Sequence, residues 1–478
     1  MYDILIIGGG ISGLYFLYKF KDFHRKIGLL EKANHLGGKL RTVYNNDQMI
    51  LYETGPWRVS PDHHRMITLC QELGIRLHKI EKNINIYIHE STETESIEII
   101  DNKKDPGLSV YDNFVYNENK NYADFIDSKT GYNEILDMNS TINAYDAKNK
   151  KEVYYVPEQG FSGIIKKLSE KIKDDYDLFL NTFVQDISYN GDYYTISTII
   201  RKGSNRFAPK IFKSRKMIIA CPLSSFKQWR IVKHFDVLLS SVSTYPLNHI
   251  YALCKEKPMY KGNTSFFIIT ENPLSQIISS NYDNHWIQIS YSGGKMADFW
   301  NRLYKSHKMN WKKKIIHEFQ KIIKNCQVLQ LKMYYWSDAI HMWNPCVGFH
   351  LDRMYKLSLY PDPVSLKDFF IIGETFSKNQ GWCEGALETV EDLYKIFCGN
   401  YFVNLLDVSN IPYVIYKNRV LNVKNWIPVH PGGQQPIENH LYEDISFLWE
   451  TIHSTDHAKN HIICLQIGWK FKNKFYHI

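Results

Sequence analysis

"DILIIGGGISGLYFLYKF", residues 3 to 20, decides the fold. Ile4 to Ile7 form an unbroken apolar run, as a strand buried on both faces requires. Gly8, Gly10 and Gly13 then give G-x-G-x-x-G, and the apolar residues after them suit a helix opening near Ser12. Each glycine has a task. The first makes the tight turn, the second lets backbone approach a pyrophosphate, and the third lets helix and strand pack closely. The helix N-terminus then faces the phosphates with unpaired amides. The following strand, "KIGLLE", ends in Glu31, with Lys32 next. A carboxylate at this distance from the glycines can accept hydrogen bonds from both hydroxyls of an adenosine ribose. The expectation is a Rossmann-type α/β domain holding a dinucleotide.

The rest of the composition narrows the class. The chain has 478 residues, 44% of them hydrophobic and 23% charged, with a formal charge of +8. That is ordinary for a globular protein of several domains. The only tight basic run is Lys312 to Lys314, with no arginine-rich arm, so no nucleic-acid partner is expected. No apolar stretch approaches the roughly 18 residues of a membrane span. The N-terminus enters a strand directly, with Asp3 and no basic flank, which argues against a signal peptide. Eight cysteines are scattered without a C-x-x-C pair. That favours a reducing compartment and a cytoplasmic location.

G-x-G-x-x-G does not separate NAD from FAD, but the next stretch does. "LEKANHLGGKLRT", residues 30 to 42, carries Glu31, the Gly37-Gly38 pair, Lys39, Arg41 and Thr42. It resembles the signature of the flavin amine oxidase superfamily, which includes monoamine, polyamine and L-amino-acid oxidases. The family's first arginine after the glycines is Lys39 here. Lysine keeps the charge and loses the fork, which favours Arg41 as phosphate ligand. "YETGPWRVSPDHHRM" (52 to 66) resembles the segment beneath the flavin ring, placing Gly55, Pro56, Trp57 and Arg58 there. "TFVQDI" resembles the strand whose Val184 backbone meets adenine. "KMIIACP" and "YVPEQGFSGIIKKLSEKI" resemble further family elements. "DFFIIGETFSKNQGWCEGALETV" (368 to 390) resembles the last family motif. It implies Gly373 and Glu374 at the pyrophosphate and ribitol, and Trp382 to Ala386 at the ring.

The resemblance covers about the first 400 residues and implies an interleaved fold. FAD-binding segments are expected at 1–75, 155–235 and 365–400, and an α+β substrate domain at 76–154 and 236–364. It also implies three residues at the reacting centre. Lys295 falls near the lysine that holds a water at flavin N5; the alternative is a surface lysine after a Gly-Gly turn. Arg58 matches an arginine that clamps the substrate carboxylate in L-amino-acid oxidases, or else it contacts flavin or backbone. Trp382 aligns with an aromatic lining the amine path. Its usual aromatic partner is absent near Cys346 and Val347 unless Phe349 or Trp343 substitutes, which weighs against a small neutral amine. Cys346 also lies near the position of the thioether tether to FAD in monoamine oxidases; most relatives bind FAD without one.

The C-terminal stretch differs. "YVIYKNRVLNVKNWIPVHPGG" is followed by "ETIHSTDHAKNHI", with 23 positions from His430 to His453. This resembles cytochrome b5 and implies a small α+β domain over 405–478. There His430 and His453 ligate a haem b from opposite faces. Saturated axial positions make such iron an electron carrier. The family's loop-helix before the first strand is missing or short, and "NHLYEDIS" replaces its usual inter-ligand sequence. His457 and His461 read as polar-face residues.

The expectation is an enzyme: an FAD-dependent oxidoreductase taking a hydride from an amine or amino acid, with the haem as acceptor or relay. Oxygen or a redox protein is the candidate final acceptor. The alternatives are a desaturase or porphyrinogen-type FAD oxidase on a non-amine substrate, and a catalytically silent FAD-binding scaffold.

Overall fold

The computed structural model describes residues 1–21, 25–80, 84–89, 92–94, 107–112 and 153–398 apart from 204–205, 271–272, 283 and 307, and residues 406–477 apart from 454 and 472–473. Most of 76–154 lies outside the described residues.

The opening strand Tyr2–Ile7 pairs in parallel with Ile27–Leu30 on one side and with the end of Arg206–Ile219 on the other. Asp177–Phe179 and Phe369–Ile371 extend the parallel part. Thr182–Tyr189 and Tyr194–Lys202 add an antiparallel flank. The alternation of the first strand is visible in its partners. Ile4 and Ile6 enter a core with Leu14, Leu168, Leu387 and Leu393. Leu5 and Ile7 enter a different core on the other face. A strand covered on both sides needs an unbroken apolar run, and Ile4 to Ile7 supplies it.

A second sheet is built mainly from Val242–Cys254, Trp286–Gly293 and Val328–Trp343, joined at its far edge by Phe266–Thr270 and Ile84–His89. The helices Gly294–Ser306 and Lys308–Ile322 cover one face, around Trp300, Trp311 and Phe319. The sheet's other face looks toward residues 52 to 57: Leu247 packs with Trp57, and Tyr251 stacks on Tyr52 at 4.2 Å. Cys254 and Cys326 form a disulfide closing a separation of 72 residues. The bridge runs against the reducing compartment expected from cysteines scattered without a C-x-x-C pair. Nothing in their spacing announces the bridge, because the two positions meet only at the edge of a folded sheet.

The C-terminal module is a four-stranded sheet of Tyr413–Tyr416, Arg419–Asn422, Gln466–Phe471 and Lys474–His477, with short helices on it. It shares a hydrophobic core with the body. Val414, Tyr416, Leu421, Trp426 and Ile462 to Leu465 belong to the same apolar cluster as Leu5, Ile7 and Trp343. Buried Arg419 donates to the carbonyl of His234, and Lys459 pairs with Asp236 at 3.5 Å. Among the described residues no helix is long and apolar enough to cross a membrane.

Candidate functional site

The glycines of the opening motif carry different steric loads. Gly8 has φ +117°, and a Cβ there would lie 2.4 Å from the Ala220 carbonyl oxygen. A Cβ on Gly13 would lie 2.1 Å from the Gly8 oxygen, so this glycine lets helix Ile11–Lys19 sit on the strand. A Cβ on Gly10 would meet nothing within 4 Å. Gly10 therefore borders open space at a helix N-terminus that no side chain caps. Unpaired amides beside empty space form an anion cradle. Glu31 stands at its edge, accepting from the Gly9 amide and the Ala33 amide, both at 2.7 Å. A carboxylate has about four lone-pair sites, so two remain for ribose hydroxyls. The Glu31 carbonyl accepts from Thr182, two residues before Val184, where the strand bulges.

Other segments converge on this cradle. Gly37 bridges to Gly10, and a Cβ on Gly38 would fall 3.5 Å from the Gly10 Cα. Gly55 lies so close to Lys39 that a Cβ would be 2.0 Å from its carbonyl oxygen. Gly373, with φ +122°, faces Ser12, whose Oγ would be 3.7 Å from a Cβ there. Lys32 and Arg41 are exposed, whereas Lys39 turns inward, donating to the Ala339 carbonyl at 2.6 Å and approaching Glu374 at 3.9 Å.

Glu374 is the centre of a charge cluster that sequence reasoning missed. Fully buried His341 lies between Glu374 Oε2, 2.9 Å from its Nδ1, and Asp338 Oδ1, 2.6 Å from its Nε2. Burial opposes the charged imidazole, but the Glu374 charge and the Asp338 contact outweigh it and raise its pKa. Burial likewise opposes the Glu374 carboxylate, yet the charges of His341 and Lys39 hold its pKa at about 2. Asp338 also accepts from the Ser224 amide. "SDAIHMW" gives no motif for this, since the partners come from three distant segments.

Arg58 lies among aromatic faces: its guanidinium carbon is 3.9 Å from the Tyr154 ring centre, 4.6 Å from Trp57 and 5.7 Å from Trp382. Cation–π contact of this kind uses the plane of the group and leaves its in-plane donors available. Among the described residues no carboxylate pairs with it. His63 packs on Trp382 at 4.6 Å, and burial lowers its pKa to about 4. It is therefore neutral at physiological pH, with Nδ1 accepting from the Ser60 amide. Ala386 is buried in the helix Cys383–Phe397 that Trp382 opens. Lys295 stands exposed on the first turn of Gly294–Ser306, and among the described residues no hydrogen bond or ion pair joins it to this cluster. Near Trp57, Glu53 lines a cavity with Tyr52, Tyr251, Tyr282 and Gln288. Burial pushes its pKa up to about 7, against hydrogen bonds from Thr42, the Phe161 amide and Tyr282.

In the C-terminal module the rings of His430 and His453 face each other with centroids 6.1 Å apart. That gap is too wide for contact and admits one metal ion at about 2 Å from each ring nitrogen. The Gly433 carbonyl accepts from His430 Nδ1 at 2.8 Å, which leaves the Nε2 lone pair for a ligand. A Cβ on Gly432 would lie 2.9 Å from His430 Cε1, so only glycine lets the ring sit there. His453 stacks on Trp449 at 4.2 Å, and burial lowers its pKa, with the His430 charge adding to the effect. Val429 and Ile452, the chain neighbours of the two histidines, are exposed, and so are Tyr442 and Phe447 of the same module. Bare apolar side chains next to a histidine pair suit a flat apolar ligand. Among the described residues no group of three or more His, Cys, Asp or Glu side chains could hold a metal ion. A lone histidine pair suits a metal whose other bonds a macrocycle supplies.

A family profile described as an NAD(P)-binding Rossmann-like domain matches residues 6–73. One described as a cytochrome b5-like heme/steroid binding domain matches 405–471. The solved structure of wild-type putrescine oxidase bound to putrescine superimposes with a TM-score of 0.65 at 14% identity, over 83% of this chain and 99% of that one. The body has the fold of putrescine oxidase. An uncharacterized protein of Acanthamoeba polyphaga mimivirus is 21% identical over 516 residues, 86% of this chain and 96% of that protein. The L-amino-acid oxidase of Vipera ammodytes ammodytes is 24% identical over 195 residues. That alignment takes in 39% of this chain and 39% of the viper enzyme, well under two thirds of its length.

The body and the b5-like domain meet at Cys346. This cysteine is buried, and its sulfur lies 3.5 Å from His461 Nδ1 and 3.6 Å from the Asn460 carbonyl oxygen. It faces the C-terminal domain. His461, read from sequence as a polar-face residue, is buried and stacks on Trp426 at 4.1 Å. The side chain of His457 lies outside the described residues.

Proposed function

We propose that this chain is an FAD-dependent oxidoreductase of the amine oxidase type, acting on an amine that carries a carboxylate, with a b5-type haem drawing electrons from the flavin. One observation carries the substrate class: Arg58 is held by three aromatic rings and has no carboxylate partner among the described residues. A permanent cation in a half-buried aromatic setting calls for an anionic partner, and a planar guanidinium meets a carboxylate with two parallel hydrogen bonds.

FAD would lie on the Gly8 to Gly13 turn with its ribose at Glu31 and its middle near Ser12, Lys39, Gly373 and Glu374. When bound it supplies hydride acceptance from the carbon next to nitrogen. The chain supplies the rest. The helix N-terminus and Lys39 neutralise phosphate charge. His341 fixes Glu374 so that the loop after Phe369–Ile371 keeps one geometry. Arg58 orients the substrate, and Trp57 and Trp382 exclude water from its path. His63, neutral and with Nδ1 committed, holds Trp382 without adding a charge. In the b5-like domain His430 and His453 would hold the haem, with Phe447 and Ile452 covering its apolar edge.

The test is anaerobic addition of amino acids, their amides and simple amines to the FAD-loaded protein. Bleaching of the flavin by amino acids above the rest supports the reading. Bleaching by uncharged amines alone removes the carboxylate requirement. No bleaching by any of them points to a non-amine substrate or to a silent scaffold.

A further inference from the structure

The contact between the two cofactor-bearing parts is buried and rich in aromatic rings. The strand Val328–Trp343 carries His341 against Glu374 and ends in Trp343, which is fully buried. The Trp343 indole donates to the Ser377 carbonyl at 3.1 Å, and its backbone amide donates to Gln380 at 2.9 Å. Both partners belong to the segment that follows Glu374. Three residues later Cys346 reaches His461 at 3.5 Å, while Asn460 donates to the Pro345 carbonyl at 3.1 Å. His461 stacks on Trp426 at 4.1 Å with an interplanar angle of 30°. The Trp426 ring in turn stands 5.9 Å from His430, edge to face. Cys346, His461 and Trp426 are each under one-tenth exposed. Polarizable groups thus run from Cys346, three residues after Trp343, through His461 and Trp426 to one member of the histidine pair.

The geometry points to Cys346, His461 and Trp426 as the electron path from the flavin site to His430. This rests on the haem relay proposed above and names its route. The electron count is balanced: the reduced flavin loses one electron, and ferric iron gains one and becomes ferrous. Two such steps empty the flavin, the proton that came with the hydride leaving N5 for solvent, if an external one-electron acceptor reoxidises the iron between them. Packing alone would fill this interface with aliphatic side chains equally well. The stacked His–Trp pair places π-systems in line where the two parts of the chain meet.

The experiment uses the full chain loaded with FAD and haem, without oxygen. A light pulse with a sacrificial donor reduces the flavin, and the haem absorption bands report arrival of the electron. Trp426→Leu and His461→Leu should slow that arrival by about an order of magnitude at equal flavin and haem content. Trp426→Phe and His461→Phe, which keep a ring in place, should stay near the wild-type rate. Dithionite should reduce the haem in every variant. Should the leucine variants lose haem, Cys346→Ala tests the first link, and a clear slowing with intact haem is expected. Unchanged arrival in the haem-loaded leucine variants, or in Cys346→Ala where those lose haem, overturns the route. A wild-type haem that stays ferric beside a reduced flavin overturns the relay itself.

Discussion

Gly10 and Gly13 belong to one motif, yet alanine at each should fail in a different way. At Gly13 the new methyl would lie 2.1 Å from the Gly8 carbonyl oxygen. That atom belongs to the backbone and cannot swing aside, so helix and strand must separate. Overpacking of this kind costs about 1–3 kcal/mol. Better helix propensity returns at most about 1 kcal/mol. Gly13→Ala should therefore lower the melting temperature with or without FAD. Gly10 has φ −75° and ψ −175°, open to any residue, and its Cβ would meet nothing within 4 Å. Gly10→Ala should leave the cofactor-free protein close to wild type. Its methyl would instead occupy the space of the pyrophosphate. FAD at a hundred times its Kd stabilises the wild type by about 2.7 kcal/mol, and Gly10→Ala should lose that increment. Thermal unfolding with and without added FAD, alongside released-flavin absorbance, measures both. A Gly10→Ala protein with full flavin and an undiminished FAD-dependent rise in Tm refutes the nucleotide assignment.

Other outcomes follow from the remaining sites. His430→Ala and His453→Ala should each abolish the Soret band and the split bands of the reduced protein, while flavin content stays unchanged. Arg58→Lys should raise KM for amino acids strongly, because an ammonium cannot reproduce two parallel hydrogen bonds; Arg58→Ala should also erase the preference for acids over amides. The His341 cluster predicts a pH profile for stability. Glu374, held at about 2 against an ordinary 4.5, contributes above 4.5 and loses that contribution as pH falls toward 2. His341 has a raised pKa, so its contribution is complete below 6.5 and is lost as pH rises through the folded value. His341→Gln should remove the alkaline loss and cost about 3–5 kcal/mol at neutral pH, by leaving the Glu374 and Asp338 carboxylates without the cation they share. Melting temperature against pH for both proteins decides this.

Local chemistry was legible in the sequence, and long-range partnership was not. The Gly8 to Gly13 turn, Glu31 and the histidine pair announce themselves because each needs particular residues at fixed short spacings. Trp57, Arg58 and Trp382 were found as separate positions; that Tyr154 joins the two tryptophans around the Arg58 guanidinium depends on a strand whose sequence carries no such signal. Glu374 was read as a cofactor contact, and the structure adds that His341 and Asp338 hold it. Those two residues sit three apart on a strand, where a histidine and an aspartate look like ordinary polar alternation. Cys254 and Cys326 were invisible as a pair for the same reason. His461 was misread because helical spacing reports which side a residue takes and says nothing of what covers that side.

The covering of that side bears on how the C-terminal domain works. A domain meant to swing between partners keeps a polar surface toward its body, since each departure exposes whatever was buried. Here the surface is apolar, and Ile462 to Leu465 and Trp469 lie in one core with Trp343 and Phe349. Arg419 is buried at the junction with its guanidinium on the His234 carbonyl, and burial lowers its pKa. Arg353 reaches from the body to the carbonyl of Cys464. Separating the parts would strip these cations of partners and bare the apolar face, so the His430–Trp426–His461–Cys346 geometry is held in the folded state. Electron arrival at the haem should then follow first-order kinetics with a rate constant unaffected by protein dilution. A rate that falls in proportion to concentration would mean that the haem takes its electron from the flavin of another molecule, and that the fixed junction serves stability alone.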